Sequence, residues 1–125
     1  MDLDVLARAD LLGARAAAVG FDWASAAEVL PKLREEVDEL EAAMAAGEQA
    51  DVQEELGDLL FTISNLARHL DVPVTRCLRQ ANDKFERRFR ALEAAAHTRG
   101  ERLGGLAAHE LEARWQQVKA VLKGS

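Results

Sequence analysis

The sequence predicts an all-α fold, built as a helical-hairpin bundle of about four to five helices and completed by dimerisation. Alanine and leucine dominate the composition, tyrosine is absent, and aromatic residues make up 5% of the chain, a bias toward strong helix formers. Apolar residues recur at steps of three and four, and glycine or proline follows where these patterns stop. The 125 residues fit one domain, 1–125, although a core of this size gains much from a second copy.

The first two predicted helices are separated by a short aromatic segment. Helix one is predicted over residues 4–19 and ends before a glycine. Helix two is predicted to begin at Ser25, which forms the pattern of a capping box with Glu28, and to end at Gly47. Its apolar stripe consists of Val29, Leu33, Val37, Leu40 and Met44. Pro31 lies inside this span and removes one backbone donor, so it is expected to kink the helix or move its start.

The third predicted helix follows after a short connection. Asp51 and Glu54 form a second capping-box pattern at its start. Its apolar stripe consists of Val52, Leu56, Leu59, Ile63, Leu66 and Leu70. Because the connection from Gly47 to Ala50 is short, helices two and three are expected to form an antiparallel hairpin.

Two further helices complete the predicted bundle. Pro73 is suited to the first position of helix four, whose apolar face carries Val74, Leu78, Ala81, Phe85, Phe89 and Leu92. Residues 97–105 are polar and glycine-rich, which indicates a mobile loop rather than a second domain. A short last helix is predicted from the spacing of Leu111, Trp115, Val118 and Leu122.

Composition and charge exclude several classes of function. The formal net charge of −6 argues against general binding to nucleic acid, which requires many lysine and arginine side chains. No apolar run approaches the ~20 residues that span a bilayer, and the first residues lack the features of a secretory signal. Cys77 is the single cysteine, so no intramolecular disulfide is expected. These features favour a cytoplasmic protein without a membrane partner.

Two acidic clusters of the form Glu-Glu-x-x-acid lie on the predicted hairpin. Helix two carries Glu35, Glu36 and Glu39, and helix three carries Glu54, Glu55 and Asp58. Helical geometry places the second and third member of each cluster beside the apolar stripe. We therefore expect Glu36, Glu39, Glu55 and Asp58 to meet at the edge of the buried face, and we expect the first member of each cluster to be solvated.

Four carboxylates placed together need a compensating charge. Two charges ~5 Å apart at an effective dielectric constant of ~20 repel by about 3 kcal/mol. Mg²⁺ fits such a cluster because it prefers oxygen ligands and completes its coordination shell with water and substrate phosphates. The alternative is an ordinary acidic helix surface, and the residues alone leave both interpretations open.

Several motifs closely resemble the MazG family of all-α nucleotide pyrophosphohydrolases. They are Glu-Glu-Val-Asp-Glu-Leu at 35–40, Glu-Glu-Leu-Gly-Asp-Leu-Leu-Phe at 54–61, Asn-Leu-Ala-Arg-His-Leu at 65–70 and Ala-Asn-Asp-Lys-Phe-Glu-Arg-Arg-Phe at 81–89. Gly-Phe-Asp-Trp at 20–23 precedes them and Trp-Gln-Gln-Val-Lys at 115–119 follows. Their order and spacing extend the resemblance over nearly the whole chain.

The resemblance implies a metal-dependent hydrolase. The four carboxylates Glu36, Glu39, Glu55 and Asp58 would be the catalytic residues and would hold Mg²⁺, with Mn²⁺ as a substitute. The implied reaction is hydrolysis of a ribo- or deoxyribonucleoside triphosphate to the monophosphate and pyrophosphate, in the role of nucleotide-pool housecleaning. The implied assembly is a homodimer or a dimer of dimers.

Five further residues are expected to bind the substrate. Lys84 and Arg88 are four residues apart and so share one helix face, which suits a phosphate chain; the alternative is a solvated basic face. Asn82 is expected to bind a base or sugar, or to be structural. Trp115 and Lys119 correspond to family positions suited to stacking and phosphate contact, although Trp115 also lies on an apolar stripe and is equally consistent with core packing.

Two other functions remain open at this point. One is a related all-α pyrophosphohydrolase with a narrower substrate, such as dUTP, dCTP or phosphoribosyl-ATP. The other is a non-catalytic helical oligomerisation module whose acidic cluster is merely surface. Pyrophosphate release from a panel of nucleotides separates these possibilities.

Overall fold

A computed structural model describes residues 4–123, and within this range the protein is all-α, as predicted. The helices are α1 (Asp4–Ala18), α2 (Ala26–Ala46), α3 (Gln49–His69), α4 (Val74–Thr98) and α5 (Ala108–Val121), with a 3-10 turn at Leu103–Gly105. The chain divides into two compact units, one ending at Cys77 and the other beginning at Leu78. No helix among residues 4–123 is long and apolar enough to cross a membrane.

Helix α2 has the predicted ends but not the predicted N-terminal capping bond. Ser25 has the extended backbone of an N-cap residue, yet its hydroxyl makes no capping hydrogen bond. The Glu28 carboxylate instead accepts from the backbone N–H of Ala24 at 3.1 Å, one residue further back than a capping box requires. At the other end, Gly47 has a φ of 73°, a left-handed conformation that glycine adopts at little cost. The assigned helix continues through Pro31.

Helices α3 and α4 begin close to their predicted positions. The N-cap of α3 is Glu48, so the capping box predicted at Asp51 is wrong. Asp51 lies within the first turn of α3 instead, where a negative charge interacts favourably with the helix dipole. Helix α4 begins at Val74, one residue after the predicted Pro73.

Helices α2 and α3 form the predicted antiparallel hairpin. Only two residues join them, and the helices pack along each other. Contacts between their side chains run in opposite order along the chain: Glu36 of α2 meets Thr62 of α3, and Glu39 meets Glu55. The hairpin therefore brings the two acidic clusters into the same region of the first unit.

The buried face of the hairpin differs from the predicted apolar stripes. In α2 the buried side chains are Val29, Glu36 and Ala43, which lie seven residues apart and so form one row along the helix. In contrast, four residues of the predicted stripes are 46–64% exposed, namely Val37, Met44, Leu56 and Leu70. The buried face of helix α2 therefore includes an acidic residue. Several large apolar side chains of the hairpin are exposed in the single chain.

Helix α1 packs on α3, and an ionic cluster ties the segment after α1 to the end of α3. The Arg68 guanidinium donates to both carboxylate oxygens of Asp22, at 2.8 and 2.9 Å. His69 Nε2 lies 2.9 Å from Asp22 Oδ1. The hydrogen bonds from Arg68 hold the pKa of Asp22 far below its ordinary value, against the opposing effect of burial. This cluster holds together residues 46 and 47 positions apart in the chain.

The second unit contains most of α4 and all of α5. The rings of Phe85 and Phe89 stack with centroids 5.9 Å apart, and the Trp115 ring lies 5.4 Å from that of Phe85. Arg114 donates to both carboxylate oxygens of Glu101, at 2.5 and 2.8 Å. This ion pair connects α5 to the glycine-rich segment that the sequence predicted as a loop.

Candidate active site

Glu36 is the most deeply buried member of the predicted metal site. It is 3% exposed, whereas its position on the helix predicted the edge of the buried face. The Thr62 hydroxyl, 4% exposed, donates a hydrogen bond to Glu36 Oε1. A buried carboxylate needs such a partner because its desolvation is otherwise costly. The contact holds the Glu36 side chain against α3.

Glu39 and Glu55 form a close pair of carboxyl groups across the hairpin. Burial of Glu55 raises its pKa, and the neighbouring carboxyl of Glu39 raises it further through a hydrogen bond and Coulomb repulsion. Asp58 and Glu54 add smaller repulsive effects on the same pKa. Glu55 Oε2 is buried and has no hydrogen-bond partner among the described residues. Negative charge therefore accumulates around an oxygen that no protein group satisfies.

The remaining acidic residues of the two clusters are exposed, including Glu39 and Asp58, which the sequence predicted at the edge of the buried face. Asp58 is exposed and lies one turn after Glu55 and one turn before Thr62. Glu35 and Glu54 are also exposed. Glu35 lies 4.0 Å from Lys32 in a surface ion pair. Exposure therefore does not separate Glu35 and Glu54, which were expected to be solvated, from Glu39 and Asp58.

The carboxylate cluster fits the chemistry of Mg²⁺. Among residues 4–123, no three Asp, Glu, His or Cys side chains converge closely enough to enclose a metal ion. The unpaired Glu55 oxygen, the adjoining Glu39 carboxyl and the raised pKa of Glu55 nevertheless indicate a region that lacks positive charge. Mg²⁺ commonly takes only one or two carboxylates from a protein and completes its shell with water and phosphate oxygens. The donors present therefore suit that ion.

The sequence analysis overlooked the polar residues that line the inner face of α3. Thr62, Ser64 and Asn65 are 1–4% exposed. Thr62 and Asn65 follow Asp58 by four and seven residues, which places them on nearly the same helix face. That spacing was visible in the sequence and would have marked both as neighbours of the acidic cluster.

The predicted substrate-binding residues lie in the second unit. On α4, Lys84 and Asn82 are exposed, while Arg88 is half-buried and its Nε has no hydrogen-bond partner among the described residues. On α5, Trp115 and Lys119 are half-buried and four residues apart. The contact of Trp115 with an aromatic ring of α4 shows that it packs within this unit, as the core-packing interpretation expected.

Comparison with protein families identifies the chain. The model of the MazG nucleotide pyrophosphohydrolase domain matches residues 24–92. The chain belongs to the MazG family. The match includes the acidic clusters of α2 and α3 and the basic pair of α4, whereas the motifs at 20–23 and 115–119 lie outside the matched region.

Two relatives show how far the similarity extends. The chain is 46% identical over 119 residues to the nucleoside triphosphate pyrophosphohydrolase of Escherichia coli strain K12, an alignment that covers 94% of this chain and 45% of that protein. It is 38% identical over 104 residues to the nucleoside triphosphate pyrophosphohydrolase/pyrophosphatase MazG of Thermotoga maritima, covering 83% of this chain and 40% of that protein. The MazG chain thus spans less than half the length of these relatives.

Proposed function

We propose that this MazG chain hydrolyses nucleoside triphosphates to the monophosphate and pyrophosphate in a Mg²⁺-dependent reaction. The observation that carries the proposal is the Glu39–Glu55 carboxyl pair, in which one buried oxygen has no hydrogen-bond partner in the described part of the chain. An ordinary acidic surface would keep its carboxylates apart in water, where repulsion is screened. The names of two MazG relatives, both nucleoside triphosphate pyrophosphohydrolases, agree with this activity.

In the proposed reaction, water attacks the α-phosphorus. A bond forms between the water oxygen and that phosphorus, the bond to the α–β bridging oxygen breaks, and pyrophosphate leaves with the bridging oxygen while the water proton passes to solvent or a carboxylate. Mg²⁺, when bound, orients the phosphates, neutralises developing charge and lowers the pKa of water. Glu36, Glu39, Glu55 and Asp58 would hold this ion, and the hydrogen bond from Thr62 fixes the first of them.

Cations of the second unit are proposed to bind the phosphates. Lys84 and Arg88 lie on one face of α4, and Arg88 Nε has no hydrogen-bond partner within residues 4–123. A guanidinium with free donors suits a phosphate oxygen because charge-assisted hydrogen bonds are the stronger ones. Lys119 is proposed to add a further phosphate contact and Asn82 a contact to the sugar. Trp115 packs on Phe85, so its proposed contribution is to support this region.

We also propose that the protein is a homodimer. Large apolar side chains of the first unit are exposed in the single chain, among them Leu11 at 64%, Leu60 at 54% and Phe61 at 40%. Surfaces of this kind mark an interaction site more often than a free surface. Light scattering at micromolar concentration should give the mass of two chains, and a stable monomer would contradict the proposal.

Pyrophosphate release from a panel of ribo- and deoxyribonucleoside triphosphates tests the activity. The purified protein should release pyrophosphate with Mg²⁺ and lose this activity with a chelator. Glu36→Gln and Glu55→Gln should lose most of the activity while their circular dichroism spectra stay unchanged. Glu35→Gln is the matched control because Glu35 is exposed and pairs with Lys32. Full activity in Glu55→Gln would show that Glu55 takes no part in the mechanism. If the wild-type protein released no pyrophosphate from any nucleotide, the non-catalytic oligomerisation module would be the remaining interpretation.

The phosphate contacts have a separate test. Lys84→Ala and Arg88→Ala should raise the KM for the triphosphate more than they change the Mg²⁺ concentration for half-maximal activity, because these cations meet phosphate rather than metal. Arg87→Ala is the control, since Arg87 is exposed on a different face of the same helix. Unchanged nucleotide affinity in both variants would indicate that Lys84 and Arg88 form only a solvated basic face.

A further inference from the structure

A cavity of about 320 Å³ lies in the first unit between α1, the segment after α1, and α3. Its volume is within the range of small-molecule sites. Phe21, Trp23 and Phe61 contribute aromatic side chains to its lining, and Asn65 contributes a carboxamide. Phe21 exposes 80% of its surface although it lines the cavity. An apolar cavity with few polar groups is typical of a site for a flat organic ligand.

The carboxamide of Asn65 is held in one orientation. Its Oδ1 accepts from Arg68 Nη2 at 2.9 Å, and its Nδ2 donates to the carbonyl oxygen of Phe61 at 3.3 Å. Because arginine can only donate, this contact assigns the oxygen and the nitrogen of the amide. Arg68 is itself fixed by the two hydrogen bonds to Asp22. Asn65 is 3% exposed, and its second amide hydrogen and second oxygen lone pair have no hydrogen-bond partner among residues 4–123.

Helix α1 carries a glycine where the Asn65 carboxamide approaches it. Gly13 is buried in the middle of α1, where glycine costs about 1 kcal/mol relative to alanine. A Cβ at this position would collide with Asn65 Oδ1 and lie 3.2 Å from Arg68 Nε. The helix thus loses intrinsic stability at the position that leaves room for the carboxamide beside the cavity.

The cavity and the carboxylate cluster lie at different heights along the same helix, α3. Asn65 follows Asp58 by seven residues, which places the two within about 20° on the helix and about 10 Å apart along its axis. Phe61 lies between them and lines the cavity. This separation is comparable to the distance from the α-phosphate of a nucleotide, across the ribose, to the outer edge of the base. A nucleotide with its phosphates at Asp58 and Glu55 therefore has its ring within reach of the cavity.

We propose that this cavity binds the nucleobase of the substrate and that Asn65 is the residue that discriminates between bases. The free donor and acceptor of the carboxamide match the adjacent donor and acceptor on the edge of a base, as asparagine does with adenine in DNA recognition. Phe21 and Trp23 pack against the ring. The proposal rests on the proposed hydrolysis of nucleoside triphosphates, and it places the base at α3 rather than at Trp115.

Intrinsic fluorescence distinguishes the two locations. The chain has two tryptophans, so Trp115→Phe leaves Trp23 as the reporter, and Trp23→Phe leaves Trp115. A nucleoside triphosphate added with Mg²⁺ should quench Trp23, whereas inorganic tripolyphosphate, which has no base, should not. Quenching seen only in the variant that keeps Trp115 would overturn the proposal.

Hydrolysis kinetics test the role of Asn65. Asn65→Asp keeps the shape of the side chain but replaces the free amide donor by an acceptor, so it should change the ratio of kcat/KM between bases by about tenfold or more. Gln53→Ala is the control, because Gln53 is exposed on α3 and lies outside the cavity lining, and it should leave that ratio unchanged. Asn65→Ala should raise the KM for every nucleoside triphosphate with a smaller change in kcat, and circular dichroism and a thermal melt confirm that each variant is folded.

The outcomes separate this inference from the proposed function. Active hydrolysis with unquenched Trp23 and an unchanged base ranking in Asn65→Asp would overturn the cavity proposal and leave the activity standing. If no nucleotide is hydrolysed, the proposed activity fails, and the cavity proposal is then supported by quenching of Trp23 with a nucleotide and overturned by its absence.

Discussion

Replacing Thr62 by valine measures how firmly the protein holds the buried carboxylate of its acidic cluster. Glu36 and Thr62 are 3% and 4% exposed, and the hydroxyl of Thr62 donates to Glu36 Oε1. Valine has nearly the same shape as threonine but lacks the hydroxyl. The substitution therefore leaves a buried carboxylate oxygen without its donor and creates no cavity.

The expected loss of stability follows from two opposing effects. A hydrogen bond to a charged group contributes about 1.5–3 kcal/mol, while burying a methyl group in place of the hydroxyl returns up to about 1 kcal/mol. We expect Thr62→Val to lower the free energy of unfolding by about 1–2 kcal/mol. For a chain of this size, that loss corresponds to a Tm lower by about 4–8 °C.

Urea denaturation of a double-mutant cycle is the assay. The variants are Thr62→Val, Glu36→Gln and the two combined, with Thr62→Ser as the control that keeps the hydroxyl. Because a hydrogen bond to a neutral amide is weaker than one to a carboxylate, Thr62→Val should cost less when Glu36 is already glutamine, with a coupling of about 1 kcal/mol. Equal losses in both backgrounds, or a loss below about 0.5 kcal/mol in the wild type, would refute this account of how Glu36 is held.

Three further predictions concern other parts of the first unit. In urea denaturation, Gly13→Ala should lower the free energy of unfolding by about 1–3 kcal/mol, because the added Cβ would collide with Asn65. Gly57→Ala in α3 should raise the free energy of unfolding by about 0.5–1 kcal/mol, because an added Cβ there would have no described atom within 4 Å. Changes of the same sign in the two variants would contradict this. Asp22→Asn should lower the free energy of unfolding by about 1 kcal/mol at pH 7, because it removes a bidentate ion pair. Since the pKa of Asp22 is lowered in the folded protein, the stability it contributes is present above the unfolded pKa of about 4 and declines as the pH falls toward the folded value. Denaturation curves should therefore show a smaller stability difference between wild type and variant at pH 3 than at pH 7, and a larger difference at pH 3 would contradict this account. Asp58→Asn should raise the Tm of the metal-free protein by relieving repulsion with its acidic neighbours, and should reduce the increase in Tm that Mg²⁺ produces; identical Mg²⁺ shifts in thermal melts of both proteins would exclude Asp58 as a ligand.

The existence of the helices was predictable because it depends on local properties of the chain. Strong helix formers, apolar spacing of three and four, and glycine or proline at the ends are all visible in the sequence. The structure has five helices within residues 4–123 and joins α2 to α3 by two residues. The bonds at the helix ends were less predictable, because the Glu28 carboxylate accepts from the N–H of Ala24 and not from that of the predicted cap residue, Ser25.

The candidate metal ligands were also predictable from the sequence, because spacing along a helix determines which acidic residues share a side. Glu35 and Glu54 are exposed as expected, but Glu39 and Asp58, which that geometry placed at the edge of the buried face, are exposed as well. The family was equally visible, since several motifs in a fixed order carry it, and the family match over residues 24–92 confirmed it. The catalytic and binding roles of these residues remain predictions.

Only the tertiary structure decided which face of each helix lies inside. Apolar periodicity predicted Val37 and Met44 at the core, yet α2 turns Glu36 toward α3 and leaves both apolar residues exposed. Periodicity gives the direction of a stripe on one helix, whereas burial depends on the surface that the neighbouring helix presents, here the hydroxyl of Thr62. The cluster of Asp22, Arg68 and Asn65 likewise joins residues more than 40 positions apart, a contact that no local pattern encodes because chain folding alone brings α1 and its following segment against α3.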